Sequence, residues 1–153
     1  MIRIANTNDL EQICELFKEL HSFHVGINPK KFRMPDDEFF RKGIMDYLNS
    51  DEWITLARED SGNIDGYAVF KAFDMDSPDE NPRRVCYVHH FMISESSRRK
   101  GAGTEFFNEI QEMARKVNCD CIRFGVNAAN AGAIAFYEKM GLAPATITME
   151  KRI

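Results

Sequence analysis

Apolar positions along this chain alternate between two periods, and the switches mark its elements. Ile2 to Ala5 is expected as a short strand, after which Leu10, Ile13, Cys14, Phe17 and Leu20 recur on one helical face. Asn8, with Glu11 three residues later, is the expected N-cap pair of that helix. His21 to Pro35 breaks the pattern with Gly26, Pro29 and Pro35 and is expected as a loop. A second helix follows, with Phe39, Phe40, Ile44, Tyr47 and Leu48 as its apolar positions. Trp53 to Ala57 and Asp65 to Phe73 are strands joined through a hairpin turn at Asp60–Asn63. Asp74 to Arg84, which holds Asp74, Asp76, Asp79 and Glu80 with two prolines, is expected as a mobile acidic loop. Val85 to Ile93 is a further strand, and Phe106, Ile110, Met113 and Val117 mark the buried stripe of a helix over 104–117. Cys121 to Val126 is a strand, Asn130 to Met140 a short helix closed by Gly141, and Thr146 to Glu150 an alternating final strand. The order β-α-α-β-β-β-α-β-α-β places the chain in the α/β (α+β) class.

One junction carries chemistry. Arg98-Arg99-Lys100-Gly101-Ala102-Gly103-Thr104 lies between the 85–93 strand and the helix that follows. Glycines let the backbone turn tightly and approach a ligand. The helix start adds unpaired N–H groups and the positive end of its dipole, and three consecutive cations add charge. A phosphate or pyrophosphate is the natural occupant. The spacing fits neither G-x-x-x-x-G-K-[ST] nor the dinucleotide G-x-G-x-x-G, because Phe106 stands where the third glycine belongs. A second pattern follows downstream: Val126-Asn127-Ala128-Ala129-Asn130 ends a strand, and Ala133, Tyr137 and Gly141-Leu142 then keep a four-residue spacing.

Together, Arg98-x-x-Gly101-x-Gly103 and the Asn130–Ala133–Tyr137–Gly141 series resemble the two signatures of the GNAT superfamily of acyl-CoA-dependent N-acyltransferases. The resemblance implies a mixed central sheet flanked by helices and splayed between its fourth and fifth strands. It implies that Arg99, Lys100, Gly101, Ala102, Gly103 and Thr104 cradle the coenzyme A pyrophosphate, with Arg98 at the edge. Phe91, Met92 and Ile93 would line the pantetheine slot, and Asn130 would help hold the arm, or simply cap its helix. Tyr137 would protonate the departing thiolate, since a phenol with a pKa of about 10 keeps its proton at neutral pH. One departure is visible: Ser94-Glu95-Ser96-Ser97 replaces the usual proline-and-aromatic lead-in, which suggests a less rigid approach to the loop.

Polyamine-acetyltransferase-like members carry an acidic pair nine and eight residues before the loop arginine, and here those positions are His89 and His90. Strand alternation points them to opposite faces unless a bulge intervenes, so one is expected at the substrate, His89 by register. Deprotonation through water alone is the alternative to a dedicated base. The implied reaction is acetyl transfer from acetyl-CoA to a primary amine by direct attack in a ternary complex. A non-catalytic acyl-CoA-binding or regulatory module on the same fold is the second reading. A generic nucleotide-phosphate binder is the third, and the chain has no magnesium-ligand motif to support it.

Composition narrows the class. With 153 residues, 44% apolar and 29% charged, the chain is expected to form a single domain over 1–153. No apolar run has the length of a membrane span and Met1 to Ile4 leads straight into structure, so a cytoplasmic protein with no membrane partner is expected. A net charge of −4 disfavours nucleic acid and mildly favours a cationic substrate. Cys14, Cys86, Cys119 and Cys121 lack zinc spacing and are expected to be reduced core residues, with no metal. By analogy the acceptor site is built from the first helices, the 21–35 loop with His21, His24, Lys31 and Phe32, the acidic 74–84 loop and the C-terminal strands. Small amines, amino acids, aminoglycosides and protein amines all remain open as acceptors. The alternating tail 146–150 offers an edge for a homodimer.

Overall fold

The computed structural model describes residues 1–153. Its elements, in order, are β1 (Ile2–Ile4), α1 (Leu10–Ile27), α2 (Asp37–Leu48), β2 (Ile54–Asp60), β3 (Asn63–Ser77), β4 (Glu80–Ile93), α3 (Ala102–Lys116), β5 (Cys121–Phe124) and α4 (Ala131–Lys139). The strands form one sheet in sequence order, antiparallel throughout except for the parallel β4–β5 pair. Helices cover both faces. Ile13, Phe17, Phe40 and Ile44 of α1 and α2 pack on Ala57, Tyr67, Val69 and Met92. On the other face Phe106, Ile110 and Ala114 of α3 pack on Leu56, Ala68, Phe70 and Val88. The period-2 alternation of the strands is what feeds both cores at once. No helix is long and apolar enough to cross a membrane.

The first helix begins and ends differently from its sequence pattern. Asn8 is not the cap: Asn6 caps a short turn ahead of the helix, its side chain accepting the Asn8 N–H at 2.9 Å while Asp9, the residue before α1, accepts the Asn6 N–H at 2.8 Å. Asp9 also takes both guanidinium nitrogens of Arg3 at 2.8 Å, which ties this start to β1. A single 3₁₀ turn over Thr7–Asp9 then leads into α1. At the far end α1 runs through His21 and Gly26 to Ile27, so much of the expected 21–35 loop is helical. One glycine in a last turn costs only about 1 kcal/mol, and Pro29 lies beyond the helix end.

Two further expectations change. The 74–84 segment is not a loop but the outer half of the β3–β4 hairpin, with Asp74 opposite Arg84 and Met75 opposite Arg83. Arg84 bonds the Asp74 carboxylate at 2.9 Å, an opposite-charge cross-strand pair that carries the ladder outward. Thr146 to Glu150 forms no strand: residues 142–153 lie outside the sheet, with Ile147 72% and Met149 87% exposed. The Asp60–Asn63 turn does form, with Ser61 and Gly62 at positive φ.

β4 carries an irregularity. Val69 pairs with His90 and Phe70 with Val88, so His89 is the extra residue of a β-bulge. Further along, Gly66 sits opposite Ile93 at close range. A Cβ on Gly66 would lie 2.6 Å from Ile93 Cδ1 and 3.0 Å from the Met92 carbonyl oxygen. Gly66→Ala is therefore expected to destabilise the fold by about 1–3 kcal/mol in chemical denaturation, through overpacking. Gly26→Ala, whose Cβ would meet nothing within 4 Å, serves as the helical control and is expected to be neutral or slightly stabilising.

Candidate active site

β4 is paired along its length with β3 but shares only Val85–Val88 with β5, opposite Cys121–Phe124. Beyond Val88 and Phe124 the two strands part. Phe91, Met92 and Ile93 keep their β3 partners Ala68, Tyr67 and Gly66 and have no strand on the other side. Main-chain groups directed away from β3 therefore face a gap and need partners from elsewhere. The side chains divide: Met92 belongs to the α1–α2 core and Ile93 to the α3 core, while Phe91 lines the opening. Phe91 stacks on Phe136 of α4 at 5.8 Å and meets Phe124 edge-on at 5.8 Å.

The gap widens into a cavity of about 350 Å³. Its walls come from four places: Leu20 and His24 of α1 with Lys31 and Phe32 just after it, Val88, His89 and Phe91 of β4, the chain leaving β5, and α4. Tyr137 is the α4 contribution, half-buried beside Phe124 with ring centroids 4.4 Å apart. Desolvation pushes its phenol up to about 12, so it stays protonated through any ordinary assay range. Asn130 also lines the cavity, and its Oδ1 accepts the Ala133 N–H at 3.1 Å, which caps α4.

The bulge sets the two histidines. Instead of facing opposite ways, their rings stack at 4.7 Å with 23° between planes. His89 is exposed at the cavity, bordered by Tyr47, Trp53 and Tyr87 at centroid distances of 6.0, 5.7 and 6.0 Å. Partial desolvation by this surround lowers its pKa from 6.5. His90 is buried and does not line the cavity; Phe17 lies against it at 4.6 Å. Its Nδ1 is 3.0 Å from the hydroxyl of Tyr67, which is fully buried and has no other partner. A buried phenol must donate, so Nδ1 accepts and the His90 proton resides on Nε2. Desolvation, with minor repulsion from His89 and His24, lowers the His90 pKa to about 3.

The glycine loop meets the same gap from the end of β4. Arg99 at φ 61° and Gly101 at φ 84° turn the chain into α3. The first loop-side bond is Glu105 N–H to Gly101 carbonyl at 3.0 Å, and none of the N–H groups from Arg99 to Thr104 donates to another protein group. Gly103 is hemmed by Phe136, which a Cβ would meet at 3.4 Å. Arg99 and Lys100 are exposed and pair with no carboxylate. Arg98 is turned inward: its Nε donates to the Ile93 carbonyl at 2.9 Å, and Nη2 is 3.6 Å from Glu19.

The serine-rich lead-in is tied down, contrary to its sequence. Ser94 N–H donates to the Asp65 carbonyl at 2.8 Å and Glu95 N–H to Glu19 Oε1 at 2.9 Å, around a 3₁₀ turn at Glu95–Ser97. Arg58 bonds both Asp65 and, at 3.2 Å, Glu105 in the first turn of α3. Sequence reasoning missed Phe124, Phe136 and the Tyr47–Trp53–Tyr87 surround, which come together only in the fold. Of the acceptor-site residues expected from the 21–35 segment, His24, Lys31 and Phe32 lie in the cavity wall and His21 does not. All four cysteines are unpaired.

Comparison with known proteins accords with this arrangement. Residues 10–142 match the family model described as the acetyltransferase (GNAT) family. A curated relative, the uncharacterized N-acetyltransferase YdgE of Bacillus subtilis (strain 168), is 29% identical over 73 residues. That match covers 48% of this chain and 46% of YdgE, so the aligned stretch spans about half of each. Among solved structures, a mutant of the BH1408 protein from Bacillus halodurans superposes with a TM-score of 0.94 at 24% identity, covering 100% of this chain and 99% of that one. The aminoglycoside N-acetyltransferase AAC(6')-Iy, in complex with CoA, superposes with a TM-score of 0.78 at 16% identity, covering 100% and 93%. Fold, loop, parted strands and family match agree, and the chain belongs to the acetyltransferase (GNAT) family.

Proposed function

We propose that residues 1–153 form one N-acetyltransferase domain that moves an acetyl group from acetyl-CoA to a primary amine by direct attack in a ternary complex. The observation that carries this reading is the run of unpartnered amides from Arg99 to Thr104, joined through Gly103, Phe136 and Phe91 to the parted β4–β5 edge, beside which lies the cavity of His89 and Tyr137. The CoA bound to the structurally similar AAC(6')-Iy supports it by analogy of fold.

Acetyl-CoA supplies an activated thioester carbonyl and a thiolate leaving group. The chain's own residues supply the rest. The loop amides and the N-terminal dipole of α3 hold the pyrophosphate, with Arg99 and Lys100 adding charge. Arg98 acts behind the loop, as a brace between Ile93 and Glu19. Free main-chain groups of Phe91 to Ile93 take the amides of the pantetheine arm, and one N–H there polarises the acyl carbonyl. Tyr137 gives a proton to the departing sulfur. His89 accepts the proton of the amine, directly or through one water, because it is neutral near pH 7 and open to the cavity. His90, held by Tyr67, is a positioning residue that fixes the ring of His89 by stacking.

Thiol release from acetyl-CoA with an amine panel tests the reading, and binding without release would return the chain to a binding module. Tyr137→Phe is expected to lower kcat by about 10²-fold or more with the KM for acetyl-CoA little changed. Because the phenol titrates only at about 12, its loss should not move any limb of the pH profile below that value. An unchanged kcat removes Tyr137 from proton transfer. In the wild type the rate should fall at acid pH as His89 protonates below 6.5, and His89→Ala should abolish that limb. Persistence of the limb in His89→Ala assigns it elsewhere.

The depressed His90 pKa has a separate consequence for stability. Above pH 6.5 His90 is neutral in both folded and unfolded chains; between 6.5 and about 3 only the unfolded chain takes up the proton. Stability therefore drops as pH falls through that window. His90→Gln is expected to flatten the drop in denaturation measured at pH 7 and pH 4. An equal drop in both proteins would show that His90 protonates freely in the fold.

A further inference from the structure

The acceptor end of the cavity has a sign of charge opposite to that of the protein. The chain carries a net charge of −4, yet no aspartate or glutamate lines the cavity. The acidic residues expected near the mouth lie instead at the tip of the β3–β4 hairpin, where Asp74 is committed to Arg84. Glu19, the carboxylate nearest in sequence to Leu20 and His24, is held by Arg98 and the Glu95 N–H.

What lines that wall is cationic. Lys31 reaches the cavity from the turn that follows α1, where its N–H and that of Phe32 both bond the Asn28 carbonyl, at 3.1 and 3.0 Å. Phe32 in turn stacks on His24 with centroids 5.4 Å apart, and the Lys31 ammonium lies 5.4 Å from the Phe32 ring. Lys31 has no carboxylate within ion-pair distance, nor have Lys30 and Arg33 beside it. Arg152 adds to the group by donating to the Lys30 carbonyl at 3.1 Å. The loop cations Arg98, Arg99 and Lys100 do not line this cavity, so Lys31 stands apart from the pyrophosphate end.

Resting on the transferase reading, we propose that the acceptor is a small amine that also bears an anionic group, with the anion held by Lys31 and the amine directed to His89. A cation at the wall of a partly enclosed cavity attracts an anion more strongly than it does in bulk water, and it repels a second ammonium. Polyamines and aminoglycosides, which are cations only, meet Lys31 with no acid to offset it. An amino acid meets it with its carboxylate, while the cavity of about 350 Å³, shared with the end of the acyl arm, restricts the acceptor to a small one. Lysine acts as a point charge and accepts a carboxylate or a phosphate alike, so the probes must separate these sources.

The test is thiol release from acetyl-CoA with alanine, alaninamide, ethylamine, phosphoethanolamine and putrescine as matched acceptors. Alanine or phosphoethanolamine is expected to exceed alaninamide, ethylamine and putrescine by about tenfold or more in kcat/KM, the worth of one charge-assisted contact. The better of the two anions identifies the source. Lys31→Ala should erase that ratio with the KM for acetyl-CoA unchanged, and Lys31→Glu should turn the preference toward putrescine. Equal or better turnover of alaninamide, ethylamine or putrescine by the wild type overturns the proposal and leaves the transferase reading intact. So does a ratio that survives in Lys31→Ala, or a Lys31→Ala effect confined to the acetyl-CoA KM. Acetyl-CoA binding with no thiol release from any acceptor overturns both.

Discussion

The site depends on the unequal pairing of β4. This strand is bonded to β3 from Glu80 to Ile93 but to β5 only over Val85–Val88, and the bulge at His89 falls where the second ladder stops. An unpaired strand edge inside a fold leaves main-chain donors and acceptors that are costly to bury without partners. Here the free edge opens onto the cavity, where a ligand rich in amides can satisfy it. The same bulge rotates the chain by one residue, which puts His89 in the opening and leaves His90 beneath it in the core. Strand divergence and histidine placement are thus one structural event.

The glycine loop is positioned by contacts that lie mostly behind it. Asp65 receives Ser94 on its carbonyl and Arg58 on its carboxylate, and Arg58 reaches on to Glu105 in α3. Glu19 of α1 holds Glu95 and Arg98. Each exposed ion pair is worth little singly, but Arg58 and Asp65 are only 16% and 12% exposed and share one network. The result joins α1, the β2–β3 hairpin and α3 around a loop whose own amides stay free. Phe136 against Gly103 closes the far side, so α4 carries both a wall of the gap and, one residue on, Tyr137.

What the sequence made legible was local. Glycines at 101 and 103 and the spacing from Asn130 to Gly141 identify a loop and a helix because their requirements, positive φ and a fixed face, reside in a few adjacent residues. The bulge was not legible in the same way: it is a mismatch of register between β3 and β4, and His89-His90 reads identically with or without it. Capping by Asn6 escaped for a related reason, since Asp9 gains Arg3 from another element and outcompetes Glu11. Gly26 and the acidic run 74–84 look like breakers until Pro29 falls beyond α1 and Arg84 and Arg83 face the acidic strand. Thr146 to Glu150 has the alternation of a strand, yet alternation specifies a strand only where a sheet edge receives it. Lys31 was expected near the acceptor by analogy, but its lack of a carboxylate partner was not legible, because that depends on where the end of α1 places it.

Amide hydrogen exchange with and without acetyl-CoA tests the central claim most directly, because the claim concerns specific free N–H groups. Addition of acetyl-CoA should slow exchange in two separate stretches, Arg99–Thr104 and Phe91–Ile93, and leave the β3–β4 hairpin tip unchanged. Binding that protects neither stretch, or protects the hairpin tip instead, would contradict the assignment of the loop and the parted strand edge to the acyl donor.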